Sequence, residues 1–510
     1  MKEKMNVLFI ITDQQRYDHM GCSGNPILKT PNIDRLSSEG VHFTNAFCTN
    51  PMCMPNRATM LTGLYPNVHG VRSNGMILST EIPTITQTLV KKGWHTAAFG
   101  KLHHQFNVAP YKLHYRSTEN FQDWVFPQNG DYPVRENFPI PYYGYQEVET
   151  VLGHGACLCG HYLDWIEERS PKQAEIMRER WKNIDDNFFS IFLEHDLPVE
   201  LYSSAYVTER TIAFLKRHSM GDYDKKPFYV HCSFPDPHQP VWPPGKYKDM
   251  YSPKDIELPK SFNNLEKLRN HPYLAPYINV MPGAMLRETT EEEAKKFIAY
   301  TYGTLSLIDD CVGKILASLE KFGYAENTIV VYTSDHGDLM GDHGMLFKGP
   351  STYMGVFHIP MIWKVPGIIK PGKTDALMSS IDYPKTILNL LGIKEIYHPP
   401  DIQGFDMTPV LKNPENNEIQ PRDCCFIEND EEIGIINARL RSLITKDFKL
   451  TIYEGFEDFG DLFDRKKDPY ELNNLWYNNS IKEKRFELVN KLLQENLKAQ
   501  TKYPKRIAGT

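Results

Sequence analysis

The chain has 510 residues with 57 Lys and Arg against 64 Asp and Glu, which gives a formal charge of −7. An excess of acidic residues excludes a protein that binds nucleic acid through a general basic surface, so no nucleic-acid partner is expected. The composition, 41% hydrophobic and 24% charged, is that of a globular protein long enough to contain two or more hydrophobic cores.

The N-terminal segment and the cysteines indicate a compartment. Residues 7–11 are the only apolar run before polar Thr12, which is too short for the hydrophobic region of a signal peptide. Later stretches fall short of the roughly 20 apolar residues that cross a bilayer. The nine cysteines are an odd number, and some lie too close together for an obvious disulfide framework. We therefore expect a cytoplasmic protein with mostly reduced cysteines and no membrane partner.

Short β-rich apolar runs alternate with helical patterns over the first three-quarters of the chain. This alternation is typical of an α/β fold with a large, doubly wound sheet flanked by helices, and we expect the sheet to be mixed. The predicted strands are residues 7–12, 96–99, 228–234, 328–333 and 361–365. The predicted helices are residues 82–92, 205–217 and 290–321, and Thr290 is expected to cap the last of these.

The remaining segments divide the chain further. A proline-rich turn near residue 398 precedes alternating runs at 425–428, 443–445 and 449–453 and a closing helix over about 481–497. We therefore predict a main α/β domain over residues 1–395 and a smaller α+β subdomain with an antiparallel sheet over 396–510. Residues 110–200 are rich in aromatics and prolines, which suggests an insertion that shapes a substrate pocket.

Polar residues crowd the ends of the predicted strands, where open parallel sheets bind their ligands. These residues are Asp13, Gln14, Lys101, His103, Asp236, His238, Asp335 and His336. Asp13 and Asp335, with Gln14 and His336 beside them, could form a divalent-metal site rich in oxygen ligands. The aspartates could instead cap the following helices, and Gln14 could lie behind the metal.

The most specific motif is Cys-Met-Pro-Asn-Arg at residues 53–57, followed by Leu-Thr-Gly. It predicts a helix with Cys53 at its N-terminus and Arg57 one turn later. A helix N-terminus favours negative charge nearby. A lone cysteine is more often a buried structural residue, but this spacing is far more specific than a lone cysteine.

These motifs resemble the formylglycine-dependent sulfatases of the alkaline-phosphatase-like superfamily, close to its phosphonate monoester hydrolase branch. They occur in family order over nearly the whole chain. The matching segments are residues 13–14, 32–36, 53–63, 100–103, 237–240, 334–337 with Lys348, and 464–475. Residues 110–200 and 240–290 carry little of the resemblance.

The resemblance implies a hydrolase for sulfate monoesters. A formylglycine-generating enzyme would convert Cys53 into formylglycine; one hydroxyl of the aldehyde hydrate would attack sulfur, and the second would help to release sulfate. The implied metal ligands are Asp13, Gln14, Cys53, Asp335 and His336.

The resemblance also implies roles for the remaining site residues. Arg57, Lys101 and Lys348 would hold the formylglycine oxygens and the charge of the sulfuryl group. His238 would protonate the leaving alcohol and His103 would act as the base of the second step. Asn74 would donate a hydrogen bond to the sulfate.

Two departures from the common sulfatase pattern leave alternatives open. Gln14 stands where many members have a second aspartate, and His336 where many have asparagine. We expect Ca²⁺, with Mn²⁺ as the alternative. The same forms occur in phosphonate monoester hydrolases and phosphodiesterases, which are the main rival activity, whereas Lys101 and His103 favour a sulfatase.

Two further hypotheses concern ligands. A catalytically silent protein that binds sulfated ligands is a third reading, and the complete set of motif residues argues against it. The aromatic insertion suggests a sulfated carbohydrate as substrate. Within it, the cluster of His154, Cys157, Cys159 and His161 suggests zinc only superficially, since Cys-x-Cys is not the usual zinc spacing, and we expect it to line the pocket.

Overall fold

The computed structural model describes residues 4–108, 117–126, 137–182, 190–279, 286–433 and 436–500. Its strands are β1 Asn6–Thr12, β2 Val41–Phe47, β3 His95–Gly100, β4 Glu147–Thr150, β5 Leu152–His154, β6 Cys157–Cys159, β7 Phe228–Ser233, β8 Arg287–Glu288, β9 Thr328–Ser334, β10 Met345–Leu346, β11 Met361–Lys364, β12 Gly372–Ser379, β13 Cys425–Ile433, β14 Ile436–Ile444, β15 Phe448–Tyr453 and β16 Gly460–Asp464. Its α-helices are α1 Pro31–Glu39, α2 Cys53–Thr62, α3 Pro66–His69, α4 Ile85–Lys91, α5 Phe121–Val125, α6 His161–Arg169, α7 Pro171–Lys182, α8 Ser203–Met220, α9 Leu265–Arg269, α10 Glu291–Lys321, α11 Met354–Phe357, α12 Asp382–Leu390, α13 Thr408–Lys412 and α14 Lys482–Lys498.

An eight-stranded mixed sheet, in the order β12-β2-β11-β9-β1-β7-β3-β4, lies at the centre of the protein. Strand β1 pairs in parallel with β7 and β9, and β3 pairs in parallel with β7. Every residue of β1 is buried, as expected for a strand covered on both faces. The predicted α/β class with a mixed sheet is confirmed. Strand β11 enters antiparallel to β2 and β9, an orientation that its apolar run did not reveal.

The helices follow the predicted pattern with small shifts at their ends. Helix α8 occupies residues 203–220 where 205–217 were predicted. Helix α10 begins after Thr290, whose side chain accepts a hydrogen bond from the backbone of Glu293 over 3.2 Å. Among the described helices, none is long and apolar enough to span a bilayer.

The C-terminal part contains the predicted antiparallel sheet, ordered β13-β14-β15-β16. Helix α14 packs Leu488 and Leu492 against Leu443, Leu450 and Leu462 of this sheet. Strand β16, which has no clear apolar alternation, was not predicted. The boundary at residues 395 and 396 stays a prediction.

The segment 110–200 differs in part from its prediction. Its side chains Phe121, Trp124, Tyr142, Tyr143 and Tyr145 are at most 4% exposed. They belong to the hydrophobic cores and cannot stack against a sugar as they stand. Three further aromatics of this segment, at positions 111, 115 and 132, lie outside the described residues.

The suggested zinc cluster is not assembled in the described part of the chain. Cys157 and Cys159 lie on β6 within an apolar core, and neither joins a group of potential metal ligands there. His161 contacts Thr150, with its Nδ1 at 3.1 Å from the backbone nitrogen. His154 faces elsewhere, toward the site described below.

Candidate active site

The predicted strand ends meet at one edge of the sheet. In the parallel register, Thr12 of β1 lies opposite Ser334 of β9, and Ile11 lies opposite Ser233 of β7. Asp13 and Asp335 therefore leave neighbouring strands side by side. The sequence-based prediction of a polar cluster at this edge rests on the same parallel pairing.

Cys53 is the first residue of α2 and is 1% exposed. Its Sγ lies 3.1 Å from His336 Nε2, and 3.8 Å from both Asp13 Oδ1 and Lys348 Nζ. Burial, reinforced by the charge of Asp13, raises the pKa of the Cys53 thiol to about 11. The unmodified side chain is therefore a thiol at neutral pH and lacks the thiolate character of an activated cysteine nucleophile.

Arg57 lies one turn along α2 and connects the strand ends. Its Nε donates to Asp335 Oδ2 over 2.7 Å, and its Nη2 lies 3.4 Å from Asp13 Oδ2. Its Nη1 donates to the backbone oxygen of Lys101 over 2.8 Å and to Ser233 Oγ over 2.9 Å. Arg57 thus fixes both carboxylates relative to the nucleophile position.

Asp13 carries a strongly stabilised negative charge. Burial alone would raise the pKa of its carboxyl, but the charges of Lys101 and Arg57 outweigh burial and hold that pKa well below its usual range. Lys101 Nζ is in direct contact with Asp13 Oδ2. Asp13 is therefore ionised and available to balance cationic groups.

Lys348 and Gln14 form the opposite side of the site. Lys348 Nζ donates to Gln14 Oε1 over 2.7 Å and lies 2.9 Å from His238 Nε2. Gln14 Nε2 donates to Gln239 Oε1 and Asp338 Oδ2, each over 2.6 Å. Because His238 Nδ1 lies 2.7 Å from the carbonyl oxygen of Gln239, we assign the ring proton to Nδ1 and the acceptor role to Nε2.

His103 and Asn74 lie at the edges of this group. Asn107 Nδ2 lies 3.2 Å from His103 Nε2, and His103 Nδ1 is a buried atom without a described hydrogen-bond partner. Burial holds the pKa of His103 well below its usual value. Asn74 Oδ1 accepts a hydrogen bond from the backbone nitrogen of Met54 over 3.1 Å, so Asn74 supports the first turn of α2.

Four predicted metal ligands offer donor atoms that all lie within 4.8 Å of one another: Asp13, Cys53, Asp335 and His336. His336 Nδ1 lies 2.8 Å from the carbonyl oxygen of Gly337, which leaves Nε2 as the lone-pair nitrogen. Burial lowers the pKa of His336 to about 4, so its ring is neutral. Two carboxylates and a neutral imidazole fit a divalent cation. Gln14 is adjacent, with its side-chain oxygen on Lys348.

The structure gives Asp236 and His154 roles that differ from those predicted from the sequence. Asp236 accepts hydrogen bonds from Ser203 Oγ and Ser204 Oγ, each over 2.7 Å, at the start of α8, and therefore supports the fold. His154, by contrast, belongs to the site, and sequence reasoning assigned it to a different cluster. The signal that could have found it is the Gly-His-Gly run at 153–155, in which a polar residue lies between two flexible positions.

Two known protein families match most of the chain. The Sulfatase family matches residues 5–393, and the family of N-sulphoglucosamine sulphohydrolase C-terminal regions matches residues 341–500. An arylsulfatase of Clostridium perfringens is 29% identical over 504 residues, which cover 98% of this chain and 95% of that protein.

A second relative and a solved structure extend the comparison. An N-acetylglucosamine-6-O-sulfatase of Bacteroides thetaiotaomicron is 24% identical over 519 residues, which cover 97% of this chain and 87% of that protein. The phosphonate monoester hydrolase of Agrobacterium radiobacter shares the fold, with a TM-score of 0.77, 24% identity, and coverage of 98% and 97% of the two chains. On the extent of the family match, the chain belongs to the sulfatase family of sulfuric ester hydrolases.

Proposed function

We propose that this protein hydrolyses a sulfate monoester of a carbohydrate, with formylglycine derived from Cys53 as its nucleophile. The observation that carries the proposal is the position of Cys53, whose Sγ lies within 3.8 Å of Lys348 Nζ and of Asp13 Oδ1. The raised thiol pKa supports it further, because an unmodified Cys53 is a poor nucleophile at neutral pH.

The cationic side chains would bind the sulfuryl group. Lys348 lies beside the nucleophile position and already makes hydrogen bonds that fix its ammonium group. Lys101 lies across the site, against Asp13. Ammonium groups held in place before substrate arrives stabilise the charge that spreads over the sulfuryl oxygens in the transition state. Asn74, whose side-chain oxygen accepts a hydrogen bond from the first turn of α2, is the proposed neutral donor, through its amide nitrogen.

Two histidines would move protons. His238 is the proposed acid for the leaving alcohol, since its Nε2 lies 2.9 Å from Lys348, which can return a proton to it. His103 is the proposed base of the second step. With the amide of Asn107 turned so that its oxygen accepts from the Nε2 proton of His103, the buried Nδ1, which has no described protein partner, holds the lone pair that takes up a proton. Arg57 would act by holding Asp13 and Asp335 in place.

Asp13, Gln14, Asp335, His336 and the modified residue 53 would hold the metal, for which we propose Ca²⁺ with Mn²⁺ as the alternative. A bound divalent cation would polarise the sulfate oxygens and favour ionisation of the attacking hydroxyl. The neutral His336 ring supplies the one nitrogen ligand of this set.

Phosphonate monoester hydrolysis is the second candidate function. Gln14 and His336 favour it, and the fold of the Agrobacterium enzyme is similar. Lys101 and His103 favour sulfate esters instead. The choice of a sulfated carbohydrate as substrate is supported by the relative that is an N-acetylglucosamine-6-O-sulfatase. The cytoplasmic location is a proposal as well, supported by the nine cysteines, which all lie in the described residues and are not joined in disulfides.

The test compares substrates on one preparation. The chain is expressed with a formylglycine-generating enzyme, and mass spectrometry of the peptide containing Cys53 verifies the conversion. We expect faster turnover of an aryl sulfate than of a phosphodiester or a phosphonate ester, and sulfate release from N-acetylglucosamine-6-sulfate. Cys53→Ala should abolish turnover, whereas Cys22→Ala, outside the site, should not change it. Turnover of the phosphorus esters at equal or greater rates would reject the sulfatase assignment.

A further inference from the structure

The insertion places a short hairpin directly against the site. Strands β5 and β6 pair so that His154 lies opposite Cys157. The two glycines that flank His154 have positive φ angles of 93° and 54°. A Cβ atom on Gly155 would lie 2.1 Å from the backbone oxygen of Pro240. The hairpin therefore packs against the segment that follows His238 at a distance that only glycine permits.

His154 itself lies between two proposed site residues. Its ring stacks on the ring of His238, with centroids 3.8 Å apart and an interplanar angle of 21°. Lys101 Nζ lies 3.4 Å from His154 Nε2 and 3.5 Å from its Nδ1. The side chain is 4% exposed, so the stacked pair is held inside the protein.

His238 is thus fixed from three directions. Lys348 contacts its Nε2, the carbonyl oxygen of Gln239 contacts its Nδ1, and the face of His154 covers one face of its ring. Removal of the covering ring would leave space into which His238 could rotate. Such a rotation would move Nε2 away from the leaving group, where a displacement of about 1 Å can cost about 100-fold in rate.

We propose that His154 is a positioning residue of the hydrolytic site, which holds the His238 ring and the Lys101 ammonium in their working positions. This inference rests on the proposed function. It also assigns a role to the 110–200 insertion that differs from stacking on a sugar. The insertion completes the group that protonates the leaving alcohol.

A second cation bound by Asp13, His154 and His238 is the competing explanation, since donor atoms of these residues lie within 4.8 Å of one another. Two lysines argue against it. Lys101 Nζ already contacts Asp13 Oδ2, and Lys348 Nζ already lies 2.9 Å from His238 Nε2. A divalent cation at this position would be placed beside two ammonium groups, which is unfavourable.

The test uses the dependence of rate on the leaving group. Aryl sulfates with increasingly basic leaving groups need increasing help from a general acid. We expect His154→Gln to lower kcat about 10-fold more for phenyl sulfate than for 4-nitrophenyl sulfate, with KM changed little. His154→Phe, which keeps a ring for stacking, should recover most of the kcat that His154→Gln loses on phenyl sulfate. His161→Gln, in the same insertion, serves as the control and should behave like the wild type.

The outcomes separate the inference from the proposed function. Equal loss for both aryl sulfates would overturn the positioning role, because a general loss of folded enzyme affects all substrates alike. A wild type that hydrolyses no sulfate ester would reject the proposed function. The inference is then decided by a crystal structure of His154→Gln, in which we expect His238 Nε2 to leave hydrogen-bond distance of Lys348. An unmoved His238 ring would overturn it.

Discussion

Arg57 Nε lies 2.7 Å from Asp335 Oδ2, and the side chains of both residues are at most 1% exposed. The pair joins helix α2, which begins at Cys53, to the end of strand β9. This contact gives a physical reason for the four-residue spacing between cysteine and arginine. One helical turn brings the guanidinium under the nucleophile, where it holds a proposed metal ligand at a fixed distance.

Loss of this buried pair should destabilise the protein strongly. Arg57→Ala leaves the buried carboxylate of Asp335 without its cation, and removal of one partner from a buried pair costs about 3–5 kcal/mol. The urea midpoint of unfolding should therefore fall well below that of the wild type. Arg35→Ala is the control, since Arg35 and Glu320 form an exposed pair at 3.4 Å. Similar midpoints for the two variants would contradict a structural role for Arg57.

Lys348→Met should impair catalysis while the fold survives. The change removes the ammonium group beside Cys53 but keeps an unbranched side chain of similar length. Removal of one preorganised donor to a developing charge typically costs about 100-fold to 1,000-fold in kcat. Steady-state turnover of an aryl sulfate checks this. Lys446→Met, at a surface pair with Asp375, is the matched control and should keep full activity. A loss below 10-fold would argue against a role in binding the sulfuryl group.

The fold was predictable where sequence patterns are local. Central strands such as β1 and β9 are buried on both faces and read as continuous apolar runs. Strands β2 and β12 mix polar and apolar residues, so their patterns resemble loops. The antiparallel direction of β11 depends on its neighbours in the sheet, which the run itself does not encode.

The same limit applies to the candidate site. Asp13 and Asp335 follow strands directly, so parallel pairing brings them together and the sequence predicts it. His154 reaches His238 through the packing of a hairpin, and this contact depends on tertiary structure alone. Five of the aromatics in the insertion lie in the cores, since aromatic content predicts a core as readily as a sugar site.

Metal removal should distinguish the two candidate cations. Dialysis against EDTA should lower both the melting temperature and the activity, because a metal that binds the folded protein stabilises it and the proposed reaction depends on that metal. Addition of Ca²⁺ should restore both properties. The rise in melting temperature with Ca²⁺ concentration then reports the affinity of the site for the ion. Elemental analysis of the protein as purified identifies the native ion. Restoration by Mn²⁺ but not by Ca²⁺ would reject the calcium assignment and favour the alternative.

Glu431 should make the stability of the protein depend on pH near neutrality. It lies on β13 and is fully buried, with Oε1 accepting a hydrogen bond from Ser73 Oγ over 2.8 Å. Burial raises the pKa of this carboxyl to about 7, while the hydrogen bond from Ser73 opposes the shift. Because the folded pKa exceeds the unfolded value, this group stabilises the fold at low pH, and that stabilisation is lost as the pH rises through 7.

Glu431→Gln removes this titration. Relative to the wild type, its free energy of unfolding should increase by about 2 kcal/mol between pH 5 and pH 8, as a pKa unit corresponds to about 1.4 kcal/mol. Urea unfolding at several pH values measures the difference. Glu432→Gln is the control, since Glu432 pairs with Arg72 near the surface and its pKa is lowered, so it titrates outside this range. A constant difference between Glu431→Gln and wild type would show that Glu431 is ionised throughout, with its charge balanced by Lys348.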